Sequence, residues 1–211
     1  MGSESIADVT ETDDLISRVA ARAAQNSAEL PAQIRAEQIK SAEQQLGFAL
    51  HPLLARLYRD VADGGFGPDY KLMPLFGPGE SVVGKYLAKR EAAVGPKQPS
   101  EPGDVVSDWP RWPEGVVPIL PWGCAMYACV DCFDQDGQVL LFEPNAYLYG
   151  PGAECWFLDS ASLQAWLETW LAETGWYEPD ALDRDDMPEP WLQATARLSD
   201  GAGETTSAPP R

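Results

Sequence analysis

Apolar residues recur at helical spacing over residues 32–62, and this pattern predicts two consecutive amphipathic helices. The first apolar stripe comprises Ile34, Ile39, Ala42 and Leu46. Gly47 then suits the left-handed position that ends a helix, and Pro52 suits the first position of the next helix. The second stripe comprises Leu53, Leu54, Leu57, Tyr58 and Val61. A glycine-rich turn over 63–68 closes the pair.

Patterns outside this pair predict three more helices and several short strands. One helix is expected over about 12–25, as an addition outside the main domain, and another over 81–92. The last helix begins at Asp159 or Ser160 and ends at Gly175. The predicted strands cover 71–75, 116–120, 125–133, 138–143 and 155–158. A turn over 134–137 joins two of them as a hairpin.

These elements predict an α+β fold: N-terminal helices, a central antiparallel-rich sheet, and a C-terminal helix packed on the sheet. We divide the chain into an acidic N-terminal extension with a helix (1–31), an α+β domain (32–177) and an acidic Pro/Gly-rich tail (178–211). Within the tail, Trp191 and Leu192 are able to dock locally.

The net charge of −18 is unevenly distributed along the 211 residues. Residues 15–100 carry +3, whereas 101–143 carry −7 and 144–177 carry −4. Such an acidic field repels nucleic-acid phosphates and attracts basic proteins, so we expect a protein partner and no nucleic acid. We also expect no membrane association, because no apolar run approaches the roughly 20 residues that span a bilayer. The N-terminus has no secretory pattern, which predicts a cytoplasmic protein.

The four cysteines form a spacing that invites a zinc interpretation. Cys124, Cys129 and Cys132 follow a Cys-x4-Cys-x2-Cys pattern, with Cys155 as a distant fourth ligand. An odd separation along a strand, however, sends Cys129 and Cys132 to opposite faces. We therefore predict buried, reduced thiols and no metal or other cofactor.

Other candidate chemistry is equally weak. The single histidine, His51, lies at a helix entrance, and no Gly-x-Ser-x-Gly elbow accompanies it. Asp131, Asp134 and Asp136 are candidate ligands of a divalent cation, and Asp134-x-Asp136-Gly137 resembles the start of a calcium loop. The closing glutamate is missing, however, and turn chemistry explains Asp and Gly there without an ion. Trp109 and Trp112 lie in a proline-rich loop, either as a contact surface or as a lid folded back over the sheet.

Several motifs occur in an order that resembles the SUKH superfamily. They are a helix ending in Glu-x-x-x-Gly (43–47), a Leu-Pro pair with His51 inserted, a Leu/Tyr-rich helix, and Gly64-Gly65. Trp122-Gly123-Cys124 and the hairpin that follows resemble the central hairpin of that superfamily. The resemblance covers roughly residues 32–175.

The resemblance implies a non-enzymatic binding protein, because the superfamily is known chiefly as bacterial immunity proteins that neutralise toxins, often nucleases or deaminases. Its eukaryotic members act as scaffolds or regulators. Here it implies occlusion of a basic toxin surface by an acidic loop-and-sheet surface. The expected partner-binding residues are Asp108, Trp109, Trp112, Trp122, Asp131, Asp134 and Asp136. The alternatives are a regulatory scaffold and a metal-dependent hydrolase that uses the carboxylates.

Overall fold

A computed structural model describes residues 6–27, 29–92, 112–146, 152–175 and 189–199. Within these ranges, six helices accompany a five-stranded antiparallel sheet, so the predicted α+β fold is confirmed. The helices are α1 (Ile6–Asn26), α2 (Ala36–Leu46), α3 (Pro52–Arg56), α4 (Val82–Ala92), α5 (Leu163–Ala172) and α6 (Ala194–Ser199). The strands are β1 (Val116–Gly123), β2 (Met126–Asp131), β3 (Val139–Phe142), β4 (Trp156–Ser160) and β5 (Glu189–Pro190).

Helix α1 begins at Ile6, six residues before the predicted cap, and it belongs to the core. Its apolar face packs against α5 and against the π-helical turn Leu57–Val61 that continues α3. The residues buried there are Leu15, Ile16, Val19 and Ala23. Arg18 fixes the pairing by donating to the Glu168 carboxylate of α5 at 2.7 Å. The expectation that this helix lies outside the main domain is therefore not what the structure shows.

The central helix pair forms as predicted. Ile39, Ala42 and Leu46 of α2 are buried, and Gly47 ends the helix with φ +87° while its N–H donates to the Glu43 carbonyl at 2.9 Å. Pro52 occupies the first turn of α3. The apolar stripes therefore bury the faces that their spacing indicates.

The prediction of a short strand over 71–75 is wrong. Instead, this segment lies along β1, where the Met73 N–H donates to the Ile119 carbonyl at 2.8 Å. Pro74 has no N–H to continue a ladder. The Met73 carbonyl is occupied by the buried Tyr58 hydroxyl at 2.8 Å. The segment thus contacts β1 through this hydrogen bond without forming a strand of the sheet.

The sheet is a meander in the order β1-β2-β3-β4-β5. Cys124 and Ala125 join β1 to β2 with φ of +47° and +65°, and both angles match the twist that a two-residue hairpin requires. Ser162, rather than Asp159 or Ser160, caps α5 by accepting from the Ala165 N–H at 3.0 Å. The strands otherwise lie within a few residues of their predicted positions.

One face of the sheet carries a continuous aromatic cluster. Tyr127, Phe142 and Trp156 are neighbours across three strands, and Trp112 packs over them, with its ring centroid 4.8 Å from that of Trp156. Trp191 extends the cluster at 6.1 Å from Trp156. The segment 189–199, here called the C-terminal strap, supplies Trp191, β5 and α6. Part of the predicted acidic tail is therefore a structural element of the domain.

Candidate protein-binding surface

The β2–β3 turn presents acidic groups on a backbone held by its own hydrogen bonds. The Asp134 carboxylate accepts from the Asp136 N–H at 3.0 Å and from the Gln138 N–H at 3.2 Å. The Asp136 carbonyl in turn accepts from the Leu163 N–H of α5 at 3.2 Å. Asp134 therefore closes the turn, as turn chemistry predicts, while the Asp136 side chain is exposed.

His51 fixes this turn from the side of α3. Its ring is only 8% exposed, and Nε2 lies 3.1 Å from the Gln135 carbonyl. Gly137 lies against the ring with φ +64°, and a Cβ at this position would come within 2.9 Å of the imidazole. Only glycine satisfies both the backbone angle and the close approach. The inserted histidine thus clamps the acidic turn to the helical part of the domain.

A groove of about 520 Å³ opens beside the turn. It lies between α1, the start of α3, the turn and the start of α5. Its lining includes Thr12, His51, Arg56, Asp136, Ser162 and Gln164. The guanidinium of Arg56 pairs with Asp13 at 2.8 Å and with Asp60 at 3.0 Å. Hydrogen bonds from Arg59 and then Arg56 hold the pKa of Asp60 below its usual range. The positive charge of Arg56 is therefore balanced within the chain.

The two predicted loop tryptophans have different outcomes. Asp108 and Trp109 lie outside the described residues. Trp112 is 1% exposed, and its indole N–H donates to the Val116 carbonyl at 2.6 Å. The sequence left open whether this ring forms a contact surface or a lid over the sheet, and Trp112 folds over the sheet. It is not on the surface where the partner-binding prediction placed it, because its apolar area completes the aromatic cluster.

Trp122 is also largely internal, at 7% exposed. It packs edge-on against Tyr70 with centroids 6.1 Å apart, and Tyr70 is 59% exposed. Tyr70 rather than Trp122 therefore forms the outer surface, beside a cavity of about 400 Å³ that Glu80 and Pro121 help to line. The sequence prediction missed Tyr70, although its place just after the glycine-rich turn was a usable signal.

Asp131 is buried, contrary to its prediction as a surface acid, because a basic group of the same chain reaches it. The carboxylate is 1% exposed and accepts from Arg197 Nη1 at 2.6 Å and Nη2 at 3.0 Å. Arg197 Nη2 also donates to the Glu114 carbonyl at 2.6 Å. The Phe133 N–H adds a third bond to Asp131 at 3.0 Å. Sequence reasoning missed Arg197, since 66 residues separate the pair.

All four cysteines lie in the described ranges, and none forms a disulfide. Burial raises the pKa of Cys132 to about 12 and that of Cys155 to about 11, and it also raises the pKa of Cys129. Such thiols are poor nucleophiles. Across the described ranges, no three His, Cys, Asp or Glu side chains gather as a metal site would require.

The fold and this surface define an α+β domain with an acidic turn beside an open groove. The profile of the SMI1 / KNR4 family (SUKH-1) matches residues 33–169, so the chain belongs to that family. Family membership fits an immunity or scaffold role, and the family is generally non-enzymatic. A search of curated proteins finds no relative that matches this chain. Among the described helices, none is long and apolar enough to cross a bilayer.

Proposed function

We propose that this protein is a bacterial, cytoplasmic immunity protein that binds a basic toxin domain of the nuclease type and occludes it without chemistry. The role agrees with SUKH-1 membership. The net charge of −18 favours a cationic protein over a nucleic acid. The partner's basic face, by which it would hold its own substrate, is the surface that an acidic protein covers best.

The observation that carries this proposal is the preorganised acidic turn. Asp136 is exposed at the groove, and its backbone is held by Asp134, by α5 and by the His51 clamp. A partner that binds there does not have to order the turn, so little conformational entropy is lost on association. The groove of about 520 Å³ offers the concave contact area that slows dissociation.

Neutral variants of the turn test the proposal without disturbing its hydrogen bonds. Asp134→Asn retains the acceptor Oδ1, so the double variant Asp134→Asn/Asp136→Asn removes two charges and keeps the turn. The matched control is Glu29→Gln/Asp69→Asn, which removes two charges from exposed acids outside the groove. Surface plasmon resonance at several salt concentrations measures binding to a basic toxin domain of the nuclease type.

The turn variant is expected to lower the association rate by about 3- to 10-fold and to weaken its salt dependence. The control is expected to change the rate by less than about 2-fold. Equal association by the turn variant and the native protein would show that the turn is not the contact. A toxin that stays fully active in a stoichiometric complex with this protein would instead favour the alternative of a regulatory scaffold.

Asp108 and Trp109 remain proposed contacts, because they belong to the acidic part of the sequence, 101–143. A Trp109→Ala variant tests this part separately, because an interfacial tryptophan mainly controls the dissociation rate. An increase of that rate by about 10-fold or more is the expected result. An unchanged dissociation rate would show that Trp109 is not part of the contact surface.

A further inference from the structure

The C-terminal strap, 189–199, lies beyond the matched residues 33–169 and contacts the sheet as a bound peptide would. Its first two residues add a short antiparallel strand to β4, with Pro190 opposite Phe157 and Glu189 opposite Leu158. The Trp191 N–H then donates to the Trp156 carbonyl at 2.9 Å. Addition of an extended segment to a sheet edge is a general mode of peptide recognition.

The strap inserts one aromatic anchor. The Trp191 ring is 5% exposed and packs against Trp156, whereas the next side chain, Leu192, is 94% exposed. Neither the Trp156 nor the Trp191 indole N–H has an acceptor among the described residues. A buried donor without an acceptor weakens the fit. This anchor site therefore has a donor to offer to a ligand that carries a suitably placed acceptor.

The strap also inserts one charged anchor, six residues further on. Arg197 of α6 donates twice to the buried Asp131 carboxylate and once to the Glu114 carbonyl. Its guanidinium lies 5.4 Å from the Phe133 ring centroid and 5.5 Å from that of Trp191. The body thus offers a carboxylate, a carbonyl and the Phe133 ring, which together make a site selective for arginine, and the second ring belongs to the bound segment.

We propose that the β4 edge, the Trp156 pocket and the Asp131 carboxylate form a peptide-binding site that the strap occupies in cis. Its ligand in trans is a segment of another protein that begins as an extended strand and carries a tryptophan and, six residues later, an arginine. The site does not include the Asp134–Gly137 turn. This proposal is therefore independent of the proposed toxin contact.

The attachment of the strap allows a segment of another protein to replace it at the site. The strap pairs with β4 through only two residues, and 16 residues of sequence (173–188) separate it from the end of α5 at Ala172. Because the strap belongs to the same chain as the site, its effective concentration there is on the order of millimolar. A partner segment replaces the strap when its own affinity, or additional contacts elsewhere on the body, exceeds that advantage.

The test uses the full chain and a labelled peptide of residues 189–199 as the probe. In the Trp191→Ala/Arg197→Ala variant, the strap loses both anchors while the site on the body is unchanged. Fluorescence anisotropy is expected to show peptide binding to this variant with a Kd of roughly 1–10 μM, and binding to the native protein at least about 100-fold weaker. Adding Asp131→Asn to the variant, or replacing either anchor in the peptide, is expected to abolish binding.

Three results would overturn the proposal. The first is a folded double variant, judged by near-UV circular dichroism, that does not bind the peptide at roughly 1 mM. The second is a double variant that unfolds, together with hydrogen exchange in the native protein showing the Trp191 amide opens only with global unfolding; the strap would then be a permanent part of the core. The third is a concentration-dependent dimer of the native protein with exchanged straps, since the trans ligand would then be a second copy.

Discussion

Asp131 and Asp136 lie at the two ends of one short segment, yet the first is buried and the second is exposed. Asp131 is 1% exposed and held by Arg197 of the C-terminal strap. Asp136 is exposed at the turn, and the chain uses its backbone rather than its carboxylate. The same residue type therefore serves as an internal anchor at one position and as a candidate contact at the other. The difference is made by a distant basic residue, not by local sequence.

The largest expected effect comes from Arg197→Ala, which leaves the Asp131 carboxylate buried without its partner. We expect a loss of about 3–5 kcal/mol in the free energy of unfolding, measured by urea denaturation. The matched control is Arg18→Ala, whose bridges to Asp14 and Glu168 are exposed and should contribute less than about 1 kcal/mol. Similar losses in both variants would mean that burial does not distinguish the two pairs.

The next effect concerns the clamp on the turn. Gly137→Ala meets both a positive φ and the His51 ring at 2.9 Å, and we expect a loss of about 2–3 kcal/mol. Gly47→Ala is the control, because its φ is also positive but no atom lies within 4 Å of the added Cβ, so about 1 kcal/mol is expected. Adding His51→Ala should relieve the steric part of the Gly137→Ala effect. Thermal unfolding of these three variants gives the comparison, and equal losses at the two glycines would contradict the clamp.

A pH dependence follows from Cys132, which lies between the two aspartates. Burial raises the pKa of its thiol from 9.0 to about 12. The stabilisation is complete below the pKa of the unfolded state and is lost as pH rises from 9 towards 12, because only the unfolded chain then releases the proton. We expect the free energy of unfolding to fall by about 1 kcal/mol per pH unit in this window from this group. Cys132→Ala should reduce the slope by about this amount in urea titrations at successive pH values, and Cys129 and Cys155 leave a residual slope. An equally steep slope would exclude the Cys132 thiol as a source.

The smallest effect is expected at the exposed end of the segment. Asp134→Asn/Asp136→Asn should change the free energy of unfolding by less than about 0.5 kcal/mol, since the turn keeps its acceptor and loses only solvated charge. Urea denaturation of the samples used for binding measures this. A loss comparable to that of Arg197→Ala would show that these carboxylates stabilise the fold, and their use as a contact would need a different explanation.

Much of the fold could be predicted because local patterns specify it. The stripe ending at Leu46, the glycine that ends α2, the proline that starts α3 and the Asp134–Gly137 turn all depend on residues close in sequence. Helix α1 was predicted in outline, but neither its start at Ile6 nor its burial against α5 was expected. Burial requires a partner surface, and that surface lies far along the chain.

The candidate site was predictable only in part, because burial again depends on residues that are distant in sequence. Asp134 and Asp136 lie in the expected turn, whereas Trp112 and Asp131 turn inwards because the aromatic cluster and Arg197 are available to receive them. The groove beside Asp136 could not be anticipated, since it lies between four elements that are distant in sequence. Exposure is a property of the packed molecule, and residue type is a weak guide to it.

The sequence by itself determined the helix and strand periods, the turn chemistry, the acidic charge and the SUKH resemblance, because each depends on neighbouring residues or on composition. Only the tertiary structure decided which acids face a partner and which face the chain itself. It also decided that the C-terminal strap completes the sheet. The physical reason is that burial and ion pairing join residues as distant as Asp131 and Arg197, and such pairs leave no periodic trace in the sequence.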